Sequence, residues 1–598
     1  KDRQHDFTPV EGPIAVTTFE VWAPLSARVR LRVGDDTLTM TKNAEGWWSA
    51  EAPAPAGTDY GYLLDDSEDL LPDPRSQWQP RGVHGPSRVY DHDAFSWSDQ
   101  DWAGRDLPGA VIYELQIATF TSGGTFDTAI QRLDHLVALG VTHVEVLPVN
   151  ALNGTWDWGY DGVDWYAVHQ PIGGPDGFKR FIDACHGRGL AVLLDVVYNH
   201  LGPSGNYLPK FGPYLTEGEN AWGDVVNLAE RPVRRFILDN AVMWLRDYHL
   251  DGLRLDAVHA LVDHSTPHLL AELSAEVEAL ATELGRPLPL IAESDLNDTV
   301  MVEPRDEGGH GLTAQWNDDV HHALHAMLTG ERQGYYVDFG SLAVFAKVAQ
   351  AAFLHDGTYS TFREKVHGRP VDRQRIPGYR FVVCLQNHDQ VGNRALGERL
   401  TELTSPDLLR VGAVLLFSLP FTPMLWMGEE WAASTRWPFF TSHPEPELAQ
   451  QVSEGRVEEF ADFGWDTDEM LDPQDPAAYR SAKLDWTEIA EPAHADMLDL
   501  YMRLITLRSH EADLTDSNLA AVTVDYNEQL RWLILHRGNL RIFANLAESS
   551  QAISLPDAQH FGWQMLLTTD GETKLLDDKI QLPALTAAIV RLTASMRG

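Results

Sequence analysis

The sequence predicts an α/β protein built around an eight-stranded (β/α)8 TIM barrel, with an N-terminal β-sandwich before it and a C-terminal antiparallel β-domain after it. Between about residues 108 and 427, short apolar runs typical of buried strands alternate with segments of helical spacing. This alternation favours a parallel sheet covered by helices, and eight such units within the roughly 400 residues of 96–510 are typical of a barrel. On either side of this region, apolar and polar residues alternate in short strands.

The region before the barrel, residues 1–95, is predicted to form the β-sandwich. Residues 16–24 and 27–33 alternate apolar with polar side chains, which is the pattern of half-buried strands. Proline and glycine separate the runs that follow. A link rich in proline and tryptophan, residues 71–102, then leads into the barrel.

The barrel region, residues 96–510, contains a candidate for each of the eight strands. Helical patterns lie between them, for example over residues 126–139, where Gly140 provides a C-cap signal. Residues 199–231 contain Gly, Pro and Asn with weak periodicity, so we expect a small inserted subdomain after the third strand. The predicted strands are residues 111–117, 143–148, 190–197, 251–256, 289–293, 313–316, 381–386 and 422–427.

The last part of the chain is predicted to be a second β-domain. After a long helix over residues 497–509, short strands return at residues 530–536, 540–545 and 587–592. We therefore expect residues 511–598 to form the C-terminal antiparallel β-domain.

The net charge of the chain limits the kinds of molecule that it is expected to bind. The chain has 46 Lys and Arg against 88 Asp and Glu, which gives a net charge of −42. A charge of this sign repels nucleic-acid phosphates and anionic membrane surfaces, whereas a neutral polymer such as a glucan feels no repulsion. No apolar run approaches the roughly 18 residues that a membrane span requires. We therefore expect neither a nucleic acid nor a membrane as partner.

The cysteine count bears on the compartment. Cys185 and Cys384 are the only cysteines, and each lies in an apolar stretch. A disulfide framework is therefore excluded, and the low count fits a reducing cytoplasm. Residues 1–6 are polar and have no signal-peptide pattern, although a chain that does not begin with Met could have lost a short leader. We expect a cytoplasmic protein.

Four of the predicted strands end in acidic, histidine or arginine residues. In a barrel of this type the C-terminal ends of the strands meet at one face, where active sites form. A single aspartate at a strand end is usually a cap, but four such ends together favour a catalytic site. The third strand leads to Asp195, Asn199 and His200, the fourth to Arg254 and Asp256, the fifth to Glu293, and the seventh to His388 and Asp389.

The spacing of Arg254 and Asp256 adds to this argument. Side chains two residues apart in a strand point to the same side, so these two groups are expected to lie together. An arginine beside an aspartate keeps the carboxylate ionised at neutral pH. An aspartate that only capped a helix or a loop would not require an arginine beside it.

These segments resemble the signature regions of the α-amylase superfamily, glycoside hydrolase family 13. The motifs are Asp-Val-Val-x-Asn-His beginning at Asp195, Gly-x-Arg-x-Asp ending at Asp256, a strand-end glutamate at Glu293, and Asn-His-Asp ending at Asp389. Four motifs in order make the resemblance specific. It extends over nearly the whole chain, because a sandwich like a glucan-binding module and a C-terminal β-domain recur in that superfamily.

The resemblance implies a role for each of three carboxyl groups. Asp256 resembles the nucleophile, Glu293 the general acid/base, and Asp389 the third carboxylate, which holds sugar hydroxyls as the ring distorts. Cleavage of a glycosidic bond passes through a state like an oxocarbenium ion, which needs one ionised and one protonated carboxyl group. Glu293 must therefore keep a raised pKa beside ionised Asp256. We expect retention of anomeric configuration.

The resemblance also implies contacts with the sugars around the cleaved bond. One group would hold the sugar at the cleavage point, with an aromatic platform beneath it, and one residue would face the leaving group. The matching positions are Tyr160 and Asp161 at the platform, His200, Arg254 and His388 around the sugar, and His259 on the leaving-group side.

Residues around the motifs resemble one branch of the superfamily, the maltooligosyltrehalose trehalohydrolases. The resembling segments are residues 254–259, 292–298, 314–319, 321–325, 386–393 and 422–430. The resemblance implies an α-glucan oligosaccharide, maltooligosyltrehalose, as substrate, with cleavage of the α-1,4 bond next to terminal trehalose and release of trehalose. The residues expected to line the trehalose side are His259, Trp316, Asn317, Asp318 and the aromatic segment 437–440, for which packing is the alternative.

Two other classes remain open at this stage. The chain could be a 1,4-α-glucan branching enzyme or another amylase-type glucan hydrolase. It could also be an inactive glucan-binding protein, although the intact trio of Asp256, Glu293 and Asp389 argues against this. Product analysis with maltooligosaccharide substrates separates hydrolysis from branching, and an activity assay tests for an inactive protein.

No metal site and no cofactor are predicted. His321, His322 and His325 would share a helix, but no Asp, Glu or Cys follows at the spacing of known zinc motifs, so glucan contact or packing is favoured. Asn199 matches a position that binds calcium in many α-amylases. The short loop after it offers no further ligand that can be assigned.

Overall fold

The centre of the molecule is a closed barrel of eight parallel strands, which confirms the predicted fold class. The computed structural model describes residues 14–220, 223–555 and 561–594. The barrel strands are β1 (Ile112–Leu115), β2 (His143–Val146), β3 (Ala191–Val196), β4 (Gly252–Leu255), β5 (Leu290–Ala292), β6 (Ala314–Trp316), β7 (Phe381–Cys384) and β8 (Thr422–Trp426). Each strand pairs with the next in the chain, and β8 pairs with β1 to close the ring.

The barrel strands form because their sequences are short apolar runs that can be buried on both faces. Every residue of β3 is buried, including Asp195. The register places Asp195 of β3 opposite Arg254 of β4. A carboxylate and a guanidinium are thus brought together inside the barrel by strand pairing alone.

Helices follow the barrel strands, and a predicted C-cap glycine lies at the end of one of them. Gly140 adopts a left-handed conformation (φ 98°) where the sequence predicts a C-cap. The helix predicted over residues 126–139 is divided at Arg132, which leaves the helical conformation (φ −106°, ψ 0°). The larger helices are Phe126–Ile130, Leu133–Leu139, Gly174–His186, Arg231–Asp247, Leu269–Leu284, Asp318–Thr329, Leu342–Ala351, Pro406–Ser418, Pro446–Asp462, Pro476–Ser481 and Pro492–His510.

The long helix Pro492–His510 begins five residues earlier than the predicted start at 497. Its first residue is Pro492, and proline is well suited to this position because the first turn of a helix leaves its N–H groups unpaired. In the described parts of the chain, no helix combines the length and the apolar character needed to cross a bilayer.

The chain before the barrel forms two antiparallel sheets around a shared core. Phe19, Leu31, Trp48 and Tyr62 are all buried in it. One sheet contains Val16–Trp22, Trp47–Pro53 and Thr41–Lys42, and the other contains Asp36–Thr39, Val29–Val33, Asp59–Leu64 and Ser87–Arg88. The polar segment 1–6, interpreted above as no signal peptide, lies outside the described residues.

The chain after the barrel also forms two antiparallel sheets. The domain boundaries proposed from the sequence, at residues 95/96 and 510/511, stay predictions. The larger sheet has the order Thr523–Asn527, Trp532–Arg537, Leu540–Asn545, Thr586–Ala594 and Phe561–Thr568, and the smaller has Gln551–Ser554, Lys579–Leu582 and Lys574–Leu575.

The insertion after β3 has more regular structure than its weak periodicity predicts. It contains a single helical turn, Leu208–Phe211, and a hairpin of Leu215–Asn220 with Gly223–Val226. The strand pair is short and its register shifts between Thr216 and Asn220. A hairpin of this kind is stabilised by its surroundings and leaves little trace in sequence periodicity.

A buried charge cluster ties several elements together at the end of the barrel opposite the predicted active face. His186 lies between two carboxylates, with Nδ1 2.8 Å from Asp99 Oδ2 and Nε2 2.7 Å from Asp251 Oδ2. Asp251 also accepts hydrogen bonds from Val192 N at 2.8 Å and Trp102 Nε1 at 2.7 Å. One carboxylate thus holds β3, a barrel helix and the link before the barrel.

The charges of this cluster can be assigned. Burial opposes protonation of His186, but Asp251 and Asp99 outweigh it, so the pKa of His186 is raised above 6.5. Burial also opposes ionisation of Asp99, yet hydrogen bonds from His186 and His249 hold its pKa below 3.8. Both shifts favour a protonated His186 beside an ionised Asp99.

We predict that His186→Gln lowers the free energy of unfolding by about 3–5 kcal/mol, because it removes the group that lies between two buried carboxylates and leaves Asp251 only with Arg286 and Asp99 only with His249 as basic partners. The contribution of His186 should be complete below its unfolded pKa and decline as pH rises through its raised folded pKa. That of Asp99 should be complete above its unfolded pKa and decline as pH falls. Urea denaturation between pH 3 and 9 should find the largest difference between wild type and variant at about pH 4–6.5.

The matched control is Arg503→Gln, which removes an ion pair with Asp499 whose side chains are 53% and 67% exposed. This variant should lose no more than about 1 kcal/mol. A His186→Gln difference that does not vary with pH would contradict the charge assignment.

Candidate active site

A cavity of about 570 Å³ opens where the C-terminal ends of the barrel strands meet. All three predicted catalytic carboxyl groups line it. The other predicted site residues on its wall are Tyr160, Asp161, His200, His259 and His388. The structure therefore brings eight of the twelve predicted residues to one cavity.

A larger cavity, of about 670 Å³, lies between the N-terminal sheets and the helix Arg231–Asp247. Its polar groups are paired with one another: Arg75 Nη1 lies 2.8 Å from Asp239 Oδ2, and Tyr60 donates a hydrogen bond to Asp73 at 2.6 Å. None of the predicted site residues lines it, so we do not regard it as the candidate active site.

Arg254 lies at the centre of the charged groups beneath the catalytic cavity. Its side chain is fully buried, and Nη1 lies 2.9 Å from Asp195 and 2.8 Å from Asp256 Oδ1. Nη2 lies 3.0 Å from Glu293 Oε2. The guanidinium also lies 4.0 Å from the centroid of the Trp316 ring, which supports it from the side of β6. One cation thus faces three carboxyl groups.

Asp256 is held in its ionised form. Asn199 Nδ2 donates hydrogen bonds of 2.9 Å to both its side-chain Oδ2 and its main-chain carbonyl. Burial opposes ionisation, but Arg254, Asn199 and a hydrogen bond from Glu293 outweigh it, so the pKa of Asp256 is lowered. An ionised, oriented carboxylate is suited to attack an electrophilic carbon.

Glu293 has the opposite tendency, although it lies beside the same arginine. It follows β5 directly, and its Oε2 accepts a 2.7 Å hydrogen bond from Ala257 N. Ala257 adopts a left-handed conformation (φ 39°), which turns this N–H toward the cavity. Burial and the charges of Asp256 and Asp389 raise the pKa of Glu293 well above 4.5, against the effect of Arg254. Glu293 can therefore carry a proton at neutral pH.

His388 is fixed from two sides. Glu114 of β1 accepts hydrogen bonds from its main-chain N at 2.9 Å and from Nδ1 at 2.8 Å. Tyr160 stacks on its ring with 5.3 Å between centroids, and the Tyr160 hydroxyl lies 2.9 Å from Nε2. Burial opposes charging, but Glu114 and Asp389 outweigh it and raise the pKa of His388 to about 10. His388 is thus a cation that can hold sugar hydroxyls.

Asp389 is the most exposed of the three carboxyl groups, with 36% of its side chain accessible. It lies in the short helix His388–Gly392, which Asn387 caps by accepting hydrogen bonds from Asp389 N and Gln390 N. Asn393 Nδ2 donates to Asp389 Oδ1 at 3.3 Å. The carboxylate is placed at the wall of the cavity, where it can contact a bound ligand.

The remaining predicted residues are not on the cavity wall. Arg254 and Trp316 lie beneath it and support the carboxyl groups. Asn317 is buried as the N-cap of Asp318–Thr329, with its side chain bonded to Val320 N at 2.9 Å and the Ala352 carbonyl at 2.8 Å. Burial and the charge of Asp389 raise the pKa of Asp318 to about 7, so Asp318 lies near the site without lining it.

Residues after β8 supply a wall of the cavity, of which the sequence predicted only the aromatic segment 437–440. Within the aromatic segment 437–440, Trp437 and Phe440 are buried in the core, and Trp437 stacks on Trp158 with 4.6 Å between centroids. Phe439 alone faces the cavity. His443, Val452, Arg456 and Glu459 line it as well, the last three from the helix Pro446–Asp462. That helix has little apolar patterning, so its sequence gave no signal of this role.

The possible metal ligands have other partners. Asn199 is bonded to Asp256, and His322 stacks on Tyr335 with 4.6 Å between ring centroids. His325 stacks on Tyr336 at 4.2 Å and contacts Glu331 at 2.7 Å, so this histidine cluster is packed among aromatic rings. Among the described residues, no group of three His, Cys, Asp or Glu side chains is placed to hold a metal ion.

Comparisons with known proteins agree with the resemblance. The family profile described as "Alpha amylase, catalytic domain" matches residues 86–224, and one described as "Domain of unknown function (DUF3459)" matches residues 517–589. A protein of Rhizobium sp. (strain M-11) named malto-oligosyltrehalose trehalohydrolase is 50% identical, with 98% of each chain covered. A protein of that name from Arthrobacter ramosus is 53% identical, covering 96% of this chain and 99% of its own.

A solved structure supports the same relationship. The crystal structure titled as a putative alpha amylase from Salmonella typhimurium matches with a TM-score of 0.88 and 36% identity. It covers 97% of this chain, and 99% of that protein is matched. Sequence identity above 40% over nearly the full length, together with the shared fold, places the chain: it belongs to the malto-oligosyltrehalose trehalohydrolase family of α-amylase-type glycosidases.

Proposed function

We propose that the chain hydrolyses the α-1,4 bond next to the terminal trehalose unit of maltooligosyltrehalose, releases trehalose, and so serves trehalose biosynthesis. The observation that carries this proposal is the opposite pKa shift of Asp256 and Glu293 around Arg254. A glycosidase needs one ionised and one protonated carboxyl group on either side of the scissile bond. The family relationship supplies the identity of the substrate.

Asp256 is the proposed nucleophile and Glu293 the proposed acid/base. In the first step Asp256 attacks the anomeric carbon while Glu293 protonates the glycosidic oxygen, so the C–O bond breaks and trehalose leaves. In the second step Glu293 takes a proton from water, and that water displaces Asp256 from the anomeric carbon. The products are trehalose and the maltooligosaccharide that was linked to it, with both carboxyl groups restored to their starting forms.

The other groups on the cavity wall are proposed to bind sugar. His388 and Asp389 can hold hydroxyl groups of the sugar whose bond is cleaved, and the ring of Tyr160 can lie beneath it. His200 and Asp161 complete this side of the cavity. His259, which lies 3.6 Å from Asp295 and is 30% exposed, is proposed to face the trehalose unit. Arg254 acts through the carboxylates beneath the sugar.

The proposed reaction needs no cofactor, and its substrate is neutral. The net charge of −42 disfavours nucleic acids and anionic membranes as partners. Cys185 and Cys384 are buried and unpaired, which is compatible with the reducing cytoplasm that we propose as the location of the protein.

The first prediction of the mechanism is retention of configuration. Because Asp256 forms a covalent intermediate, two inversions at the anomeric carbon should release the α-anomer of the new reducing end. Proton NMR during rapid hydrolysis of maltotriosyltrehalose should find α-maltotriose before it mutarotates. The β-anomer as first product would overturn the role of Asp256 as nucleophile.

The second prediction concerns pH and the two carboxyl groups. The kcat/KM should fall at low pH as Asp256 takes up a proton, and fall at high pH as Glu293 loses one. Glu293→Gln should lower kcat by about 10²–10⁴-fold and abolish the high-pH decline. Asp256→Ala should abolish turnover with the fold intact. A Glu293→Gln variant that keeps the wild-type pH profile would exclude Glu293 as the acid.

The third prediction concerns specificity. If the cavity on the leaving-group side fits the α,α-1,1 linkage, the binding energy of trehalose helps to orient the scissile bond. Maltopentaose, which has the same number of sugars, should then have a kcat/KM lower than maltotriosyltrehalose by roughly 10⁴-fold, in kcat as well as KM. Equal values would leave a general α-glucanase, and longer branched products would indicate a branching enzyme.

A further inference from the structure

The helix Pro446–Asp462 stands out among the elements that line the catalytic cavity. It follows β8 and contributes Val452, Arg456 and Glu459 to the wall, although Phe460 is its only fully buried residue. A helix with so little apolar contact gains little stability from packing. Its polar contacts with the site therefore require an explanation.

Arg456 makes the most specific of these contacts. Its side chain is 17% exposed, and its guanidinium lies 3.7 Å from the centroid of the Phe439 ring. Nη1 donates a 3.0 Å hydrogen bond to Asn393 Oδ1 and lies 3.1 Å from Glu459 Oε2. Removing most of a guanidinium from water is unfavourable unless its donors are used in a defined geometry. Here one of them is directed at Asn393.

Asn393 links this arginine to a catalytic carboxylate. Its Oδ1 accepts from Arg456, while its Nδ2 donates to Asp389 Oδ1 at 3.3 Å. Its main-chain N–H bonds to the Asp389 carbonyl at 2.9 Å, so the two residues are also tied through one helical turn. Because an amide group is planar, a donor that fixes the oxygen also fixes the direction of the nitrogen.

We propose that Arg456 is a positioning residue, which orients the Asp389 carboxylate through Asn393 and so makes the helix Pro446–Asp462 part of the catalytic machinery. The inference rests on the role proposed for Asp389. Asp389 is the most exposed of the three carboxyl groups, so its orientation depends on contacts from the cavity wall more than that of Asp256 does. In wild type, the bound sugar would meet a carboxylate already turned toward its hydroxyl groups.

The test compares Arg456→Met, which keeps the length of the side chain, with Arg456→Lys and Asn393→Ala on maltotriosyltrehalose. Arg456→Met and Asn393→Ala should each lower kcat by about 10- to 100-fold with a smaller change in KM, because a misplaced group affects the transition state most. Arg456→Lys should recover part of the loss. The double variant Arg456→Met/Asn393→Ala should be no slower than the slower single variant, since both act on one path.

The control is Glu458→Gln, an exposed residue on the same helix outside the cavity lining, which should keep wild-type kcat. Thermal unfolding of every variant checks that the fold is intact. Multiplicative losses in the double variant, or a change confined to KM, would overturn the positioning role and indicate that Arg456 anchors the helix or binds sugar directly. Trehalose release by wild type with unchanged kcat in Arg456→Met would overturn this inference alone. No trehalose release by wild type would overturn the proposed function first.

Discussion

A single buried cation, the guanidinium of Arg254, sets the conditions for the rest of the catalytic face. A charge this deep needs partners, and the side chains of Asp195, Asp256 and Glu293 all lie within 3.0 Å of it. The effect on these partners is unequal, because Asp256 receives hydrogen bonds that favour its anion while Glu293 faces two other carboxylates. The same cation therefore leaves one neighbour ionised and the other protonated, which is the asymmetry that glycoside cleavage requires. Strand register, more than side-chain flexibility, brings these groups together.

The two ends of the barrel use buried charge for different purposes. At the base, His186 is enclosed by Asp99 and Asp251, and Arg286 lies 3.1 Å from Asp251, so two basic side chains face two carboxyl groups. At the mouth, the carboxyl groups outnumber the cations. Asp195, Glu293 and Asp318 all have raised pKa values there, of which burial is the largest cause. The barrel thus has one end where buried charges stabilise the fold and another end where carboxyl groups are available for catalysis, as barrels of this type generally do.

The sequence was sufficient for the barrel and for the groups at its strand ends, because each motif lies within a few residues of a buried strand. The sequence was less reliable for residues whose positions depend on contacts between parts of the chain that are far apart in sequence. Trp316 ends β6, Asn317 and Asp318 follow it, and all three were expected on the cavity wall, but the Trp316 ring supports Arg254 and the amide of Asn317 caps a helix. Arg456 lies more than sixty residues beyond Asp389, on a helix with weak patterning, and only the folded chain brings the two together. The roles of all these residues in catalysis and binding stay predictions.

The placement of the helix Pro446–Asp462 has an evolutionary consequence. Both of its ends connect through loops, and it lies outside the alternating strands and helices that close the barrel. Insertions in such a segment are tolerated far better than changes in a packed strand, because few buried contacts are lost. A lineage could therefore lengthen or exchange this segment and alter which oligosaccharides are accepted, as long as an arginine in the place of Arg456 still reaches Asn393. For the same reason, the segment is a natural point for grafting when enzymes of this fold are redesigned.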